Sequence, residues 1–328
     1  MDFSDSGTVA RRILILLGLF LALYALNLIL PRDLWVQDEA RYGEVVREMI
    51  STGQWLVPHL NAHPYPDKPA PYFWIVAAVG ALVGQGALAF RIVTVLSTLA
   101  AAAGVYAFAG RLGTPRYAVR ACAAFLTLTL TLLVGQIARM DMLLTACVVF
   151  SLYALVRHRD EGGGRWLFAF WLFVALGVAT KGPIALLFSA LPALIWRGWV
   201  DGWAGLRSLR PVAGLLALMA MVGAWILSVW AIGYGHYLSV IWNEQLVGRA
   251  VDSWSHREPV YFYLLVAPLV FMPWTPLIVR GLYRLLSSRE TWRGRVATDA
   301  LLIVVIAVPF IAISMVSGKL FIYMQPLC

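Results

Sequence analysis

The chain has 328 residues, of which 61% are hydrophobic and only 13% are charged, and its mean hydropathy is +0.78. A soluble globular domain is roughly half apolar and about a quarter charged, so this composition excludes that class and indicates a multi-spanning membrane protein. The formal net charge of +9 is carried by arginines dispersed between apolar runs, which argues against nucleic-acid binding and indicates membrane topology instead.

Apolar runs long enough to cross the hydrocarbon core, about 20 residues each, recur along the chain. The first follows Arg11 and Arg12, and no small-residue cleavage site comes after it, so we interpret it as a retained transmembrane helix rather than a signal peptide. The pattern predicts an all-α polytopic protein with about nine spans, near residues 12–30, 88–110, 117–134, 141–156, 166–180, 183–196, 211–232, 260–280 and 297–316.

One further apolar stretch, Ala70 to Gly84, is short for a span. Cytoplasmic loops collect Lys and Arg, and nearly all loop arginines fall on one side only if this stretch does not cross. We therefore expect residues 70–84 to lie in the interface or to re-enter. The same argument puts the N-terminus in the cytoplasm and the polar segments 31–85 and 233–259 outside.

Ionisable residues crowd into the first outer segment, between Val36 and Ile50. Apolar residues at helical spacing within it predict an amphipathic helix lying along the bilayer: Tyr42, Val45, Val46, Met49 and Ile50. Asp38 and Glu39 stand at its N-terminus, where the free backbone N–H groups and the helix dipole favour carboxylates. Asp38 is therefore either a helix cap or a site residue. A cap needs only one of the two carboxylates, Asp38 or Glu39.

Other charges lie at predicted outer positions. They comprise Lys68, which lies near Tyr65 among prolines and aromatics, Arg139 and Asp141 at the start of a span, Lys181 between two spans, and Lys319 before the last apolar run. A second amphipathic region adds Glu244, Arg249 and His256. Each has a structural interpretation, since Lys and Arg commonly mark helix ends. Their convergence on one face favours a cleft for an anionic lipid whose headgroup undergoes chemistry.

The motifs that carry a family resemblance cover nearly the whole chain from Leu34 onward. They are Asp38-Glu39, Arg47-Glu48-Met49, Gly53-Gln54-Trp55, Lys68-Pro69, Tyr72-Phe73-Trp74, Arg91, Arg139-Met140-Asp141, Lys181-Gly182-Pro183, His256-Arg257-Glu258-Pro259, and Gly318-Lys319-Leu320 with Tyr323. This set resembles the polyprenyl-phosphate-dependent membrane glycosyltransferases. Within them it is most similar to the bacterial aminoarabinose lipid A transferases and the protein mannosyltransferase group.

The resemblance implies the GT-C fold, with interfacial helices in the first outer loop and an active site at the periplasmic side of the inner membrane. It implies transfer of a sugar, with inversion, from a polyprenyl-phosphate carrier to a lipid such as lipid A, a glycan or a protein. Residues 1–328 would then form a single transmembrane module. The last run, Leu320 to Cys328, is too short to cross, so we expect the C-terminal part of the family architecture to be absent.

The resemblance also implies roles for individual residues. Asp38 and Asp141 match catalytic acids; Asp38 would deprotonate an acceptor hydroxyl or orient an acceptor phosphate. Lys68 matches a lysine that holds the carrier phosphate and stabilises the leaving group. The expected substrate-binding set is Glu39, Tyr65, Lys68, Arg91, Arg139, Glu244, Arg249, His256, Lys319 and Tyr323.

Two positions depart from the aminoarabinose subgroup. Asp67 stands where a glutamate is usual, and Gln245 follows Glu244 where a histidine is usual; both positions are linked in that subgroup to bound zinc. The three cysteines, Cys122, Cys147 and Cys328, have no metal-ligand spacing either. We therefore expect no metal or other cofactor.

Two alternatives stay open. A transporter or lipid flippase would also concentrate charges in a helical bundle, but usually at the bilayer midplane and with internal repeats, whereas the acids here lie in outer loops. A noncatalytic scaffold subunit would not need Asp38, Asp141 and Lys68 to face one cavity.

Overall fold

Long apolar runs bounded by Gly, Pro and charged residues fold as helices, because in hydrocarbon each backbone N–H and C=O must be satisfied within its own segment. The computed structural model describes residues 22–30, 32–248, 257–287 and 297–328, with positions 11, 15, 18 and 19 before them. Two predicted site residues, Arg249 and His256, lie outside the described residues.

The first half of the described chain contains a helix at 22–29 (α1), α2 (Gln37–Thr52), a hairpin of β1 (His59–Leu60) and β2 (His63–Pro64), α3 (Ala70–Val83), α4 (Ala87–Leu112), α5 (Pro115–Thr127), α6 (Thr129–Val134) and α7 (Asp141–Glu161). The second half contains α8 (Gly164–Lys181), α9 (Ile184–Phe188), α10 (Ala190–Ser208), α11 (Pro211–Ala231), α12 (Gly235–Val240), a π-helical turn (Ile241–Gly248), α13 (Phe262–Val270), α14 (Thr275–Ser287), α15 (Ala297–Met315) and a 3₁₀ helix (Phe321–Leu327).

Several of the described helices are long and apolar enough to cross a membrane. They are α4, α7, α8, the continuous pair α9–α10, α11 and α15, and a seventh crossing results if the bent pair α13–α14 forms one span. The predicted all-α polytopic class is confirmed. The total of about nine stays a prediction, as does the interfacial position of the 14-residue helix α3.

Two predicted spans are broken, and the breaks meet. The run 117–134 is interrupted at Leu128, which has extended backbone angles, and α13 and α14 in the run 260–280 are bent by 118°. Two hydrogen bonds join the breaks: Thr129 N–H donates to the Met272 carbonyl at 2.8 Å, and the Trp274 indole N–H donates to Thr127 Oγ1 at 2.7 Å. Hydropathy alone missed both breaks because neither changes the apolar character of the run.

The two ends of the bundle carry different charges. At one end Arg111 pairs with Asp160 (3.1 Å), Arg157 with Glu161 (2.5 Å), and Arg159 with Asp201 (3.1 Å). These pairs place Arg111, Arg157 and Arg159 at one end of the bundle. Which compartment that end faces stays a prediction. At the opposite end, the end of α1 meets the start of α4, and the start of α7 meets the end of α8.

The first outer segment packs onto that opposite end. The predicted apolar face of α2 is confirmed, since Tyr42, Val45 and Met49 are buried in one cluster with Phe73 of α3 and Phe90 of α4. Glu48, an ionisable residue of the same helix, is buried as well.

The reason for the burial of Glu48 is the β1–β2 turn. Both oxygens of the Glu48 carboxylate accept the Ala62 backbone N–H, at 3.2 and 3.1 Å. Asn61 and Ala62 have positive φ angles of 54° and 63°, so this turn is strained for residues with a side chain, and the carboxylate stabilises it.

Candidate active site

Asp38 lies in the first turn of α2 and points toward the linker that precedes α7. Its Oδ2 accepts a hydrogen bond from Arg139 Nη1, and its Oδ1 lies 3.8 Å from Arg41 Nη1. The Asp38 side chain is 25% exposed. Asp38 is thus held by Arg139 and lies near Arg41, while a quarter of its side chain stays exposed.

Asp141 is the first residue of α7, and its side chain is only 1% exposed. One oxygen accepts from Arg139 Nε at 3.2 Å, and the other accepts from Lys181 Nζ. Both oxygens of Asp141 are thus occupied and buried, which favours a positioning role for this carboxylate. Its catalytic role stays a prediction.

Arg139 joins the two carboxylates through different nitrogens of one guanidinium. Burial disfavours its charged form, but the carboxylates of Asp141 and Asp38 outweigh that cost, so the pKa of Arg139 rises above its ordinary value. Arg139 stays positively charged and holds the start of α7 against α2.

Lys181 completes this charge network, which consists of Asp38, Arg139, Asp141 and Lys181. The lysine is the last residue of α8, its side chain is 9% exposed, and its Nζ lies 4.7 Å from the centre of the Tyr323 ring. The predicted substrate contact Tyr323 thus lies beside the network, whereas Lys181 was absent from the predicted set. Its signal in the sequence is a lone cation followed by Gly-Pro between two apolar runs.

Glu39 has a different role from its neighbour. Its side chain is fully buried and accepts four hydrogen bonds: from Arg32 Nη2 at 2.5 Å, from the Ala138 backbone N–H at 2.6 Å, and from the backbone N–H groups of Trp35 and Val36 at 3.1 Å each. The cap of α2 is therefore made by Glu39, three residues after Val36, and not by Asp38. These contacts favour a structural role for Glu39, and its substrate contact stays a prediction.

Arg91, in the second turn of α4, is 8% exposed. Its Nη1 donates to the carbonyls of Asn27 and Leu30, which end the first helix. These contacts give Arg91 a C-terminal capping role outside the charge network. Its contact with the substrate stays a prediction.

The remaining predicted contacts are distributed around the network. Lys68 is half-buried, and its Nζ donates to the Asp67 carbonyl at 3.3 Å. Tyr65 is buried in the α2–α3 cluster, and its carbonyl accepts from the Tyr237 hydroxyl at 3.3 Å. The loop that carries Lys68 is thus tied to α12, which begins the second outer segment.

Glu244 belongs to the second outer segment, and Lys319 lies in a later part of the chain that contacts this segment. Lys319 is 3% exposed and donates to the Glu258 carbonyl at 2.7 Å, beside a β-bridge between Arg257 and Gly318. Glu244 is exposed on the π-helical turn. Their substrate roles stay predictions.

Two tyrosine hydroxyls lie beside the network. Tyr42 and Tyr72 are buried, their rings meet edge-on at 6.1 Å, and neither hydroxyl has a hydrogen-bond partner among the described residues. Burial raises the pKa of Tyr42 well above its ordinary value, and Arg139 lowers it in part. These hydroxyls are neutral donors at the back of the charged network.

Metal binding finds no support in the described residues, where no three or more His, Cys, Asp or Glu side chains are grouped to hold an ion. The expectation of no cofactor stays a prediction, since residues 249–256 lie outside that part of the chain.

The network can perform one kind of chemistry directly. Asp38 is the accessible acid, and it is held in place by a guanidinium whose other carboxylate partner is buried. Such a carboxylate can accept a proton or a hydrogen bond from an incoming hydroxyl.

Comparison with known proteins matches residues 67–233 to the family described as dolichyl-phosphate-mannose-protein mannosyltransferase. The chain is 32% identical, over 93% of its length, to an undecaprenyl phosphate-alpha-4-amino-4-deoxy-L-arabinose arabinosyl transferase of Edwardsiella ictaluri, and 30% identical, over 95%, to one of Pseudomonas fluorescens. It covers 56% of the length of each of these relatives.

The fold is similar to a crystal structure of ArnT from Cupriavidus metallidurans bound to undecaprenyl phosphate. The TM-score is 0.80 at 20% identity, and the match covers 97% of this chain and 58% of that one. The same protein in its apo state matches equally well, with a TM-score of 0.80. The likeness confirms the predicted fold.

Proposed function

The chain belongs to the dolichyl-phosphate-mannose-protein mannosyltransferase family, and from this premise we propose that it is the membrane module of a glycosyltransferase. Its donor is a sugar on a polyprenyl-phosphate carrier, and its acceptor is a lipid, glycan or protein. The observation that carries the proposal is the accessible carboxylate of Asp38, held by Arg139, whose other carboxylate partner, Asp141, is buried.

The names of the relatives narrow the donor. Curated relatives are undecaprenyl phosphate-aminoarabinose arabinosyl transferases, and the similar solved structure holds undecaprenyl phosphate. A donor with an undecaprenyl-type carrier and a pentose is therefore the first to test. The proposed acceptor to test first is a lipid such as lipid A, as the family resemblance of the sequence motifs implies.

The reaction proposed is a single displacement with inversion at the anomeric carbon. The acceptor oxygen forms a bond to that carbon while the bond from the carbon to the carrier phosphate oxygen breaks, and the carrier phosphate leaves with the electron pair. For a hydroxyl acceptor, the proton passes to Asp38 Oδ1. An acceptor phosphate has no proton to lose; Asp38 then acts by holding Arg139 toward it.

In this scheme, cations stabilise the leaving group. Negative charge develops on the carrier phosphate, and a fixed cation near it stabilises the transition state. Lys68, on the loop after the β hairpin, has this role in the proposal, with Arg249, Lys319 and Tyr323 as further contacts. Lys181 and Asp141 act indirectly in the proposal, by holding Arg139 in place.

The proposed location is the inner membrane, with the N-terminus in the cytoplasm and the charge network at the periplasmic end. The arginine-rich end of the bundle supports this orientation, since cytoplasmic loops collect arginine.

Sugar transfer in membrane vesicles tests the proposal. Vesicles from cells that express the chain receive a polyprenyl-phosphate sugar labelled in the sugar, and label is measured in the lipid, glycan and protein fractions. Wild type is compared with Asp38→Asn and with Glu44→Gln, which changes an exposed acid on the same helix. Label in one fraction, lost only in Asp38→Asn, supports the function and identifies the acceptor class.

Equal transfer by wild type and Asp38→Asn would overturn the role of Asp38. A transporter would instead move labelled carrier between leaflets without producing labelled acceptor, and both vesicle faces are therefore sampled.

A further inference from the structure

An open cavity of about 400 Å³ lies at the same end of the bundle as the charge network, between the end of α1, the α3–α4 turn and the start of α2. Arg32, Asp33, Trp35, Gln85, Ala87 and Arg91 are among the residues that line it. None of the four members of the charge network does.

The N-terminus of α4 opens into this cavity. Gly86 precedes the helix, no side chain caps its first N–H groups, and its first turn contains no acidic residue. Gly86, Ala87 and Leu88 all line the cavity. Because α4 has 26 residues, its uncapped N–H groups present the positive end of a long helix dipole to whatever occupies the space.

Arg91 adds a full charge to the same wall. It is more than nine-tenths buried, yet it lines the cavity, and its capping contacts use only Nε and Nη1. Its Nη2 donates no hydrogen bond to the described residues. A buried guanidinium with a spare donor beside a cavity is the arrangement expected of an anion site.

The other charges do not cancel this potential. Arg32 is already paired with buried Glu39, so its contribution is small, and its Nε has no hydrogen-bond partner among the described residues. Asp33 is the one carboxylate among the lining residues, and it is exposed to solvent, where its charge is screened.

The rim of the cavity is apolar. The lining residues Trp35 and Val83 are 77% and 42% exposed, and Leu82, which precedes Val83 in α3, is 85% exposed. Exposed Trp and aliphatic side chains beside a polar cavity are typical of the boundary between headgroups and acyl chains. A free phosphate would leave this rim in water, whereas a lipid covers it.

We propose that this cavity binds the phosphate of a membrane phospholipid, with Arg91 Nη2 and the backbone N–H groups at the start of α4 as donors. The site is separate from the Asp38 network. It shares one structural link with it, since Arg32 donates to the Gln136 carbonyl (3.0 Å) in the linker that leads to Arg139.

Ala87→Asp tests the site without removing a cap. A carboxylate in the first turn of α4 favours the helix but repels a bound phosphate. The control is Ala87→Ser, which places a small uncharged polar side chain at the same position. Purified protein in detergent is titrated with phosphatidic acid, phosphatidylglycerol and inorganic phosphate, and bound lipid is measured by native mass spectrometry. We expect Ala87→Asp to weaken binding of both anionic lipids about tenfold, and Ala87→Ser to bind as wild type does.

Equal lipid affinity in the Asp and Ser variants would overturn the site. Inorganic phosphate that binds at the same concentration as the lipids, and is lost in Ala87→Asp, would overturn the lipid as its occupant. The measurement contains no sugar transfer, so its result is independent of the proposed glycosyltransferase activity.

Discussion

Asp38 and Asp141 share one guanidinium, that of Arg139, although they come from different helices and differ sharply in exposure. The shared cation makes the position of the accessible acid depend on the buried one. An Asp at the start of a span is costly in hydrocarbon unless paired, and Asp141 meets that cost with two cations, Arg139 and Lys181.

Asp141→Asn is expected to lower both stability and transfer. The substitution leaves Lys181 and Arg139 buried with one negative partner fewer, and breaking a buried ion pair from one side costs about 3–5 kcal/mol. Thermal unfolding in detergent measures the free energy of unfolding, and vesicle transfer measures activity. Asp38→Asn serves as the comparison: it should lose transfer as fully but cost about 1 kcal/mol or less, because a quarter of its side chain is exposed. Equal stability of the two variants would contradict the assignment of Asp141 to positioning.

The ion pair between Asp141 and Lys181 is expected to be strongly coupled. Asp141→Leu leaves the buried Lys181 without its carboxylate, and Lys181→Met leaves the buried Asp141 with Arg139 as its remaining cation. The double variant removes both charges and replaces them with apolar side chains. We expect the double variant to recover about 2–3 kcal/mol relative to the sum of the single changes. Unfolding midpoints of all four proteins complete the cycle, and additive effects would show that the pair is not coupled.

Glu39→Gln is expected to destabilise the first outer segment. The amide replaces one acceptor oxygen of a fully buried carboxylate with a donor and removes the charge that holds Arg32, at a cost of about 2–4 kcal/mol. Glu44→Gln on the same helix breaks an exposed pair with Arg47 and should leave stability unchanged. Limited proteolysis of residues 37–68, together with thermal unfolding, distinguishes the two. A wild-type proteolysis pattern for Glu39→Gln would show that the cap is dispensable.

Tyr42→Phe removes a buried hydroxyl with no hydrogen-bond partner among the described residues. An unsatisfied buried polar group costs about 1–3 kcal/mol, so the variant is expected to be at least as stable as wild type. Unfolding and transfer are measured together. A stable variant with unchanged transfer agrees with a purely packing role, and a stable variant with reduced transfer would show that the hydroxyl donates to a bound molecule.

Many features of the fold were predictable from the sequence because they depend on neighbours in the chain. Hydropathy over about 20 residues located most spans, and helical periodicity located the buried face of α2 through Tyr42, Val45 and Met49. The breaks at Leu128 and between α13 and α14 were missed because the hydrogen bonds that stabilise them join the two breaks across a long separation in sequence.

The candidate site divides in the same way. The sequence by itself determined that this is a helical membrane protein, that its acids lie at helix ends, and that Asp38, Arg139 and Asp141 belong to one face, since residue type and spacing carry that information. Only the tertiary structure decided which carboxylate is accessible, which one caps α2, and that Lys181 completes the network. Those distinctions depend on which donors from distant segments reach each oxygen: the Ala138 N–H reaches Glu39, and the Lys181 ammonium reaches Asp141. Burial and partner geometry are non-local properties, and they set the chemistry of residues that look equivalent along the chain.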